Sequence, residues 1–251
     1  MRIAIWQGQS PASDLTSAIT QAEAALRAAG ALGASALVLP EIWLQGYNQP
    51  DLRARALAQD DAVFDRLAAV AQQAGCGLVI GYAETAGGAL FNAAAYLAAD
   101  GQTRAHYRKL QLYGPREHAL YQPGAQYVTF ALGHLTAAML ICYDVEFAPH
   151  IARLAAMGVD LLLVPTANMQ PFTHVADHTV PAMAANHGLA IAYANYCGAE
   201  GDLTYVGGSL IAGPHGEVLA KAGHFPALLL AEIPLPDPAR ISTQAKDLRE
   251  I

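Results

Sequence analysis

The sequence predicts an α/β fold in which two mixed β-sheets pack together and helices cover them. Three observations carry this expectation. Strand-like and helix-like stretches alternate along the chain, which implies mostly parallel or mixed sheets. The second half resembles the first in outline, so two packed sheets fit better than one doubly wound sheet. No linker rich in Gly, Ser or Pro appears before Pro234, so residues 1–251 read as one domain with a Pro-rich tail from about residue 234.

The elements follow in order. Arg2–Gln7 is an apolar strand. Ser13 offers an N-cap, after which Leu15, Ile19, Ala22 and Leu26 recur at helical spacing. Ala36–Leu39 is a short buried strand closed by Pro40. Asp61–Gln73 is helical, with Val63, Leu67, Val70 and Ala71 on one face. Gly77–Ala83 and Ala89–Ala98 are strands, followed by an Asp100-Gly101 turn. His134–Ile141 is a strand ending at Cys142, Ala148–Met157 a helix, and Val159–Val164 a continuous apolar strand closed by Pro165. His174–Asn186 is helical, with its early turns disturbed by Pro181. Leu189–Asn195, Thr204–Ala212 and Glu217–Ala222 are strands, and Ala227–Ile233 closes the sheet.

Composition excludes several functions. Hydrophobic residues make up 54% and charged residues 14%, which belongs to a packed globular chain. Net charge is -7 and no Lys/Arg run occurs, so neither nucleic acid nor an anionic membrane surface has an electrostatic footprint to meet. The longest apolar runs are too short to span a bilayer. Three cysteines, an odd number, argue against a disulfide framework. The first residues read as a strand rather than a signal peptide, so the expectation is a soluble, reduced, cytoplasmic protein. The low charged share hints at a face covered by a second subunit.

Chemistry gathers just beyond the carboxyl ends of strands in such folds. Ala36–Pro40 delivers Glu41, His134–Ile141 delivers Cys142, and Val159–Pro165 delivers Thr166-Ala167-Asn168-Met169. Lys109 follows a strand-like stretch. A thiol at a sharp strand-to-helix turn would be exposed above the sheet, with its pKa lowered and backbone N–H groups, that of Tyr143 first, as oxyanion donors. The alternative for Cys142 is a buried Cys packing as a small hydrophobe. Glu41 among apolar neighbours suits a general base, or it pairs with Arg108. Lys109 suits an oxyanion stabiliser, or it is a surface cation. Cys76 and Cys197 read as structural. His174 and His178, four apart, lack the Glu of the zinc-protease pattern, so no metal site is expected. No phosphate-binding loop or dinucleotide fingerprint is present, and Ser209 lacks a nucleophile-elbow frame.

Leu39-Pro40-Glu41 with Gly46-Tyr47, Tyr107-Arg108-Lys109, and Ile141-Cys142-Tyr143-Asp144-Val145-Glu146-Phe147 together resemble the nitrilase superfamily of carbon–nitrogen hydrolases. The resemblance runs from the first strand to Ile233. Within the superfamily, Val164–Met169 and Tyr193–Glu200 look most like amidases of small ω-amino amides such as 5-aminopentanamidases, and R-stereoselective amidases look similar too. The resemblance implies a four-layer α-β-β-α sandwich, a homodimer, no metal and no cofactor. It implies Cys142 as nucleophile, Glu41 as base, Lys109 as cationic stabiliser, and a second carboxylate near that lysine. Glu117 is the candidate, although Pro115 departs from the acidic residue expected there.

The expected reaction is hydrolysis of a small aliphatic amide to an acid and ammonia through a thioester. Asn168, Met169, Asn195 and Tyr196 are expected to line the pocket. Asp144, Glu146 and Glu200 are candidates to meet a substrate ammonium, while Asp144 and Glu146 could instead cap the helix near Ala148. Competing readings are an N-carbamoyl amidase, an ω-amidase, a nitrilase, a catalytically silent scaffold subunit, and a redox-sensing thiol protein with Cys197 as resolving cysteine.

Overall fold

The computed structural model describes residues 1–102, 104–247 and 249. The strands are β1 Arg2–Gln7, β2 Ala36–Val38, β3 Gly77–Ala86, β4 Ala89–Leu97, β5 Arg104–Arg108, β6 Thr129–Leu132, β7 Leu135–Met139, β8 Leu161–Pro165, β9 Ala190–Ala194, β10 Ala199–Glu200, β11 Leu203–Thr204, β12 Leu210–Ala212, β13 Val218–Lys221 and β14 Ala227–Glu232. The α-helices are α1 Leu15–Ala31, α2 Leu52–Arg55, α3 Ala62–Ala74, α4 Gly114–Leu120, α5 Ala148–Ala156, α6 Val180–His187 and α7 Gln244–Asp247.

One six-stranded sheet has the order β14-β1-β2-β3-β4-β5, the other β13-β12-β9-β8-β7-β6. Each is mixed. β1, β2 and β3 run parallel, with antiparallel strands on both flanks. β7, β8 and β9 repeat that pattern in the second sheet. The two-sheet expectation therefore matches the architecture, and the period-2 alternation of β1 explains how. Ile3 and Ile5 enter a core shared with Met139, Leu162 and Ile191 of the second sheet. Ala4, between them, faces the other way and packs with Ile19, Leu26, Phe64 and Leu67 of α1 and α3. α6 packs against β9 and α5 on the opposite outer layer. Each such Leu or Ile buried from water contributes about 1.5–3 kcal/mol, so both faces of each sheet are covered.

Local chemistry sets several boundaries differently from expectation. Asp14, not Ser13, caps α1: its carboxylate accepts the Ser17 N–H at 2.9 Å. Ser13 instead turns with φ 69° and donates its hydroxyl to Gln49. The segment read as one strand from Thr204 to Ala212 is broken at Gly207 and Gly208, both with positive φ, so Thr204 ends the small β10–β11 hairpin and β12 begins at Leu210. Pro181 acts as expected. A π-helical turn, Val175–Thr179, precedes it, and α6 restarts at Val180, where a proline in the first turn needs no N–H partner. Among the described residues, those after Ile233 lack regular structure apart from the one-turn α7. Among the described residues no helix is long and apolar enough to cross a membrane.

Candidate active site

The parallel strands end at one edge, and their carboxyl-terminal loops build the site. Glu41 lies three residues past β2, in a turn whose next residue, Ile42, has φ 50°. Gly81 of β3 permits that turn: a Cβ there would lie 2.5 Å from the Ile42 nitrogen and 2.8 Å from the Glu41 Cα. Two bonds from the second sheet hold the Glu41 backbone. Its N–H reaches the Thr166 carbonyl, and its carbonyl accepts the Tyr196 hydroxyl at 2.8 Å. Lys109 follows β5 directly, and Glu117 lies within α4.

The sequence candidates Glu41, Lys109 and Glu117 meet in one buried cluster. The Lys109 ammonium donates to Glu41 Oε1 at 2.7 Å and to Glu117 Oε1 at 2.9 Å. All three side chains are sealed from solvent. Glu117 also accepts the Tyr47 hydroxyl on Oε1 and the Tyr113 N–H on Oε2, each at 2.8 Å. Asn92, which the sequence reading missed, donates to Glu41 Oε1 at 2.6 Å. Glu41 Oε2 is buried without a hydrogen-bond partner among the described residues.

Cys142 follows β7 in a 3₁₀ turn, Cys142–Glu146, with φ 47°. Left-handed backbone at a non-glycine residue is strained and persists only where surrounding bonds enforce it. Asp144 does so here. Its Oδ2 accepts the Ile141 N–H at 3.0 Å and the Tyr107 hydroxyl at 2.7 Å, and its Oδ1 accepts the Gln111 N–H at 2.7 Å. Asp144 therefore anchors the turn from inside rather than facing a substrate. Asn195 is likewise engaged inward. Its amide bridges both backbone groups of Asn168 and the Gly207 carbonyl. Tyr196 is buried against Trp43 and supports Glu41 from behind, and Glu200 is taken up by Gln49 and Tyr205. These four do not line the cavity, because each is spent within the protein.

A cavity of about 250 Å³ opens in front of Cys142, lined by Tyr113, Cys142, Tyr143, Glu146, Asn168, Met169, Phe172 and His174. Of the residues expected to line the pocket, Asn168 and Met169 are there; Tyr143, expected as an oxyanion donor, and Glu146, expected to meet an ammonium, line it as well. Tyr113, Phe172 and His174 were not foreseen as lining residues; Tyr113 and Phe172 sit on loops with no periodicity to mark them, and His174 opens the helical segment before Val175.

The electrostatics correct one expectation. The Cys142 thiol is not activated in isolation: burial and the nearby Glu41 carboxylate push it up, outweighing Lys109, the Thr166 hydroxyl and the Ala167 N–H, which favour the thiolate. Burial raises Glu41 above the usual carboxylate range, Lys109 opposes, and Glu117 adds to the rise. Burial disfavours the Lys109 ammonium, but the Glu117 and Glu41 carboxylates hold it charged, well above the ordinary lysine value. Two carboxylates and one ammonium leave one negative charge in the cluster. Losing the thiol proton to solvent would add a second. Passing it to Glu41 leaves the charge unchanged, so this arrangement suits a proton transfer from thiol to carboxylate.

A family model described as carbon–nitrogen hydrolase matches residues 2–241. The chain belongs to this family. Among carbon–nitrogen hydrolases it is 42% identical over 207 residues to the protein called hydrolase in pqqF 5'region from Pseudomonas protegens, spanning 81% of this chain and 73% of that one. It is 30% identical over 189 residues to an (R)-stereoselective amidase from Pseudomonas sp., spanning 74% and 68%. The structure of an amidase from Nesterenkonia sp. AN1 superposes with a TM-score of 0.89 at 35% identity, covering 99% of this chain and 96% of that one. A Glu-to-Gln mutant of that amidase carries acrylamide added to its active-site cysteine. The chain is thus an amide-hydrolysing carbon–nitrogen hydrolase of the nitrilase superfamily, with the two-sheet fold of that amidase.

Proposed function

We propose that the protein is a cysteine-dependent amidase that converts a small aliphatic amide to a carboxylic acid and ammonia. The observation that carries this reading is the unpartnered Oε2 of Glu41 beside a cluster that conserves charge when it takes the Cys142 proton.

The sulfur of Cys142 attacks the amide carbon while its proton passes to Glu41. The carbonyl oxygen becomes an oxyanion, stabilised by the Lys109 ammonium and the Tyr143 backbone N–H. Each such donor contributes about 2.7–4 kcal/mol in the transition state. Glu41 returns its proton to the nitrogen, the C–N bond breaks, and ammonia leaves a thioester on Cys142. Water then loses a proton to Glu41 and attacks the thioester. Collapse expels the sulfur, which regains the proton from Glu41, and the acid departs. Glu117 fixes Lys109 from its far side and so aims the ammonium. No step requires a metal or organic cofactor.

Cavity size supports a small substrate, and a cysteine-to-alanine mutant of the Nesterenkonia amidase has been captured with butyramide. Tyr113, Tyr143 and Phe172 form edge-on aromatic walls that suit an aliphatic chain. Glu146 is the single carboxylate among the lining residues, which favours an ω-amino amide such as 5-aminopentanamide over a dicarboxylate monoamide.

Ammonia release from a panel tests this: 5-aminopentanamide, a neutral amide of equal length, a cyclic amino-acid amide, a dicarboxylate monoamide, an N-carbamoyl amine and a nitrile. The expected result is turnover of the linear amides, with 5-aminopentanamide preferred. Glu146→Gln is expected to raise KM for 5-aminopentanamide about tenfold and leave the neutral amide unchanged. Equal KM changes for both amides would remove the ammonium-binding role. Turnover of only the carbamoyl amine or the nitrile would replace the amidase reading.

A further inference from the structure

Asn92 is a buried amide in the middle of β4, among the apolar residues of that strand. It holds two of the site's groups at once. Its backbone carbonyl accepts the Lys109 N–H at 2.8 Å. Its Nδ2 donates to Glu41 Oε1 at 2.6 Å, the same oxygen that takes the Lys109 ammonium at 2.7 Å. Both donors converge on Oε1, and Oε2 has no partner among the described residues. The Oδ1 of Asn92 is also buried and, among the described residues, unpartnered. An amide serving packing alone would satisfy both its ends, because an unpaired buried acceptor is costly. Here one end is left unpaired while the other grips the carboxylate.

We propose that Asn92 is a positioning residue that selects Oε2 of Glu41 as the oxygen that exchanges the Cys142 proton. The inference rests on the reading of Glu41 as the base. A lone ammonium is a point donor about which a carboxylate can turn. A second donor on the same oxygen fixes the plane of the carboxylate and concentrates negative charge at Oε1. The proton is thereby directed to Oε2. The same bond favours the charged form of Glu41 and offsets part of the rise that burial imposes. Because Asn92 holds Lys109 through its backbone, changing its side chain leaves that bond in place and isolates the effect on Glu41.

The test follows the rate of Cys142 alkylation by iodoacetamide against pH, read by mass at the Cys142 peptide, in the wild type, Asn92→Leu and Glu41→Gln. Ammonia release from the best amide of the panel gives kcat and KM alongside. The wild type is expected to lose thiol reactivity as pH falls through the Glu41 titration, and Glu41→Gln to lack that limb. Asn92→Leu is expected to move the limb upward by about half a unit or more, because the charged carboxylate has lost a donor. Its kcat is expected to fall about tenfold or more with KM within about twofold. If Glu41→Gln retains the wild-type limb, the base reading itself fails. If Glu41→Gln lacks the limb and Asn92→Leu keeps it unmoved, the role of Asn92 is overturned, whatever happens to the rate. Should Asn92→Leu not fold, Asn92→Ala, which adds no volume, carries the same comparison.

Discussion

At the scale of single residues, the site is governed by burial of charge. Lys109 is sealed between Glu41 and Glu117 at 2.7 and 2.9 Å, and removing one partner of such a group is expensive, about 3–5 kcal/mol. Lys109→Met should therefore lose both activity and stability, visible as a fall in Tm together with absent ammonia release. The pH dependence follows from Glu41. Its titration lies above the usual carboxylate value of 4.5, and only its unprotonated form can take the thiol proton. Activity should be full above that raised value and fall as pH drops through it, while Lys109, held charged well above the ordinary lysine range, sets no limb near neutrality. A kcat/KM profile checks the sign: an acid limb that coincides with an unperturbed carboxylate would contradict it. Cys142→Ser should be nearly as inactive as Cys142→Ala, since a hydroxyl is a far weaker acid than a thiol and Glu41 is a poor base for it.

At the scale of elements, the nucleophile is presented by a strained turn. The φ of 47° at Cys142 persists because Asp144 takes three donors from Ile141, Tyr107 and Gln111. Asp144→Asn would turn an NH₂ toward one of those donors and leave a buried group unpaired, at about 1–3 kcal/mol. The expected outcome is a Tm lower by roughly 5 °C and a kcat lower still, because the turn relaxes. Unchanged thermal unfolding with full activity would show that the turn holds itself. Glu41 and Cys142 stood out in the sequence because each lies just past a short apolar strand, whereas Lys109 follows the polar strand β5 and was marked only by the resemblance carried by Tyr107-Arg108-Lys109. Asp144, Asn195 and Tyr196 share that position at strand ends, yet their side chains turn inward to bonds that no spacing reveals. Tyr113 and Phe172 come from loops, where no period marks a lining residue, and His174 sits at the start of a helical segment, where its spacing to His178 gave no hint of the cavity. Asn92 left one signal, an amide inside an otherwise apolar run, and its partner was visible only once β2 and β4 stood in one sheet.

At the scale of the molecule, the alternation of strands and helices was enough to foresee two mixed sheets under helices. The reason is physical: period-2 burial in β1 and period-3.6 burial in α1 and α3 leave apolar faces that only such layers cover. The edges were less legible. β6 is only four residues long, the small hairpin carries little apolar signal, and the glycines at 207 and 208 break a run whose composition reads as continuous. Outside the site, Glu84 ties β3 to β5 across β4, accepting from Arg108 at 2.6 and 2.8 Å and pairing with His106 at 2.9 Å. Burial alone would raise its carboxyl, but these partners bring it down to about 2. Its contribution is therefore present above the unfolded value of 4.5 and lost as pH falls toward 2. Glu84→Gln should cost about 1–2 kcal/mol at neutral pH, the full linkage value being reduced by solvent screening around the partly exposed Arg108, and denaturant unfolding should show that gap closing below the unfolded value. A gap that stays constant with acidification would mean the cluster adds nothing through charge.

A thioester on Cys142 is read most directly from the mass of the enzyme during turnover. The wild type, mixed with the best amide of the panel and quenched in acid, is expected to carry the acyl group of the substrate on the peptide containing Cys142. Cys142→Ala should carry none and release no ammonia. Ammonia release without an adduct on Cys142, or undiminished release by Cys142→Ala, would contradict a thioester on Cys142.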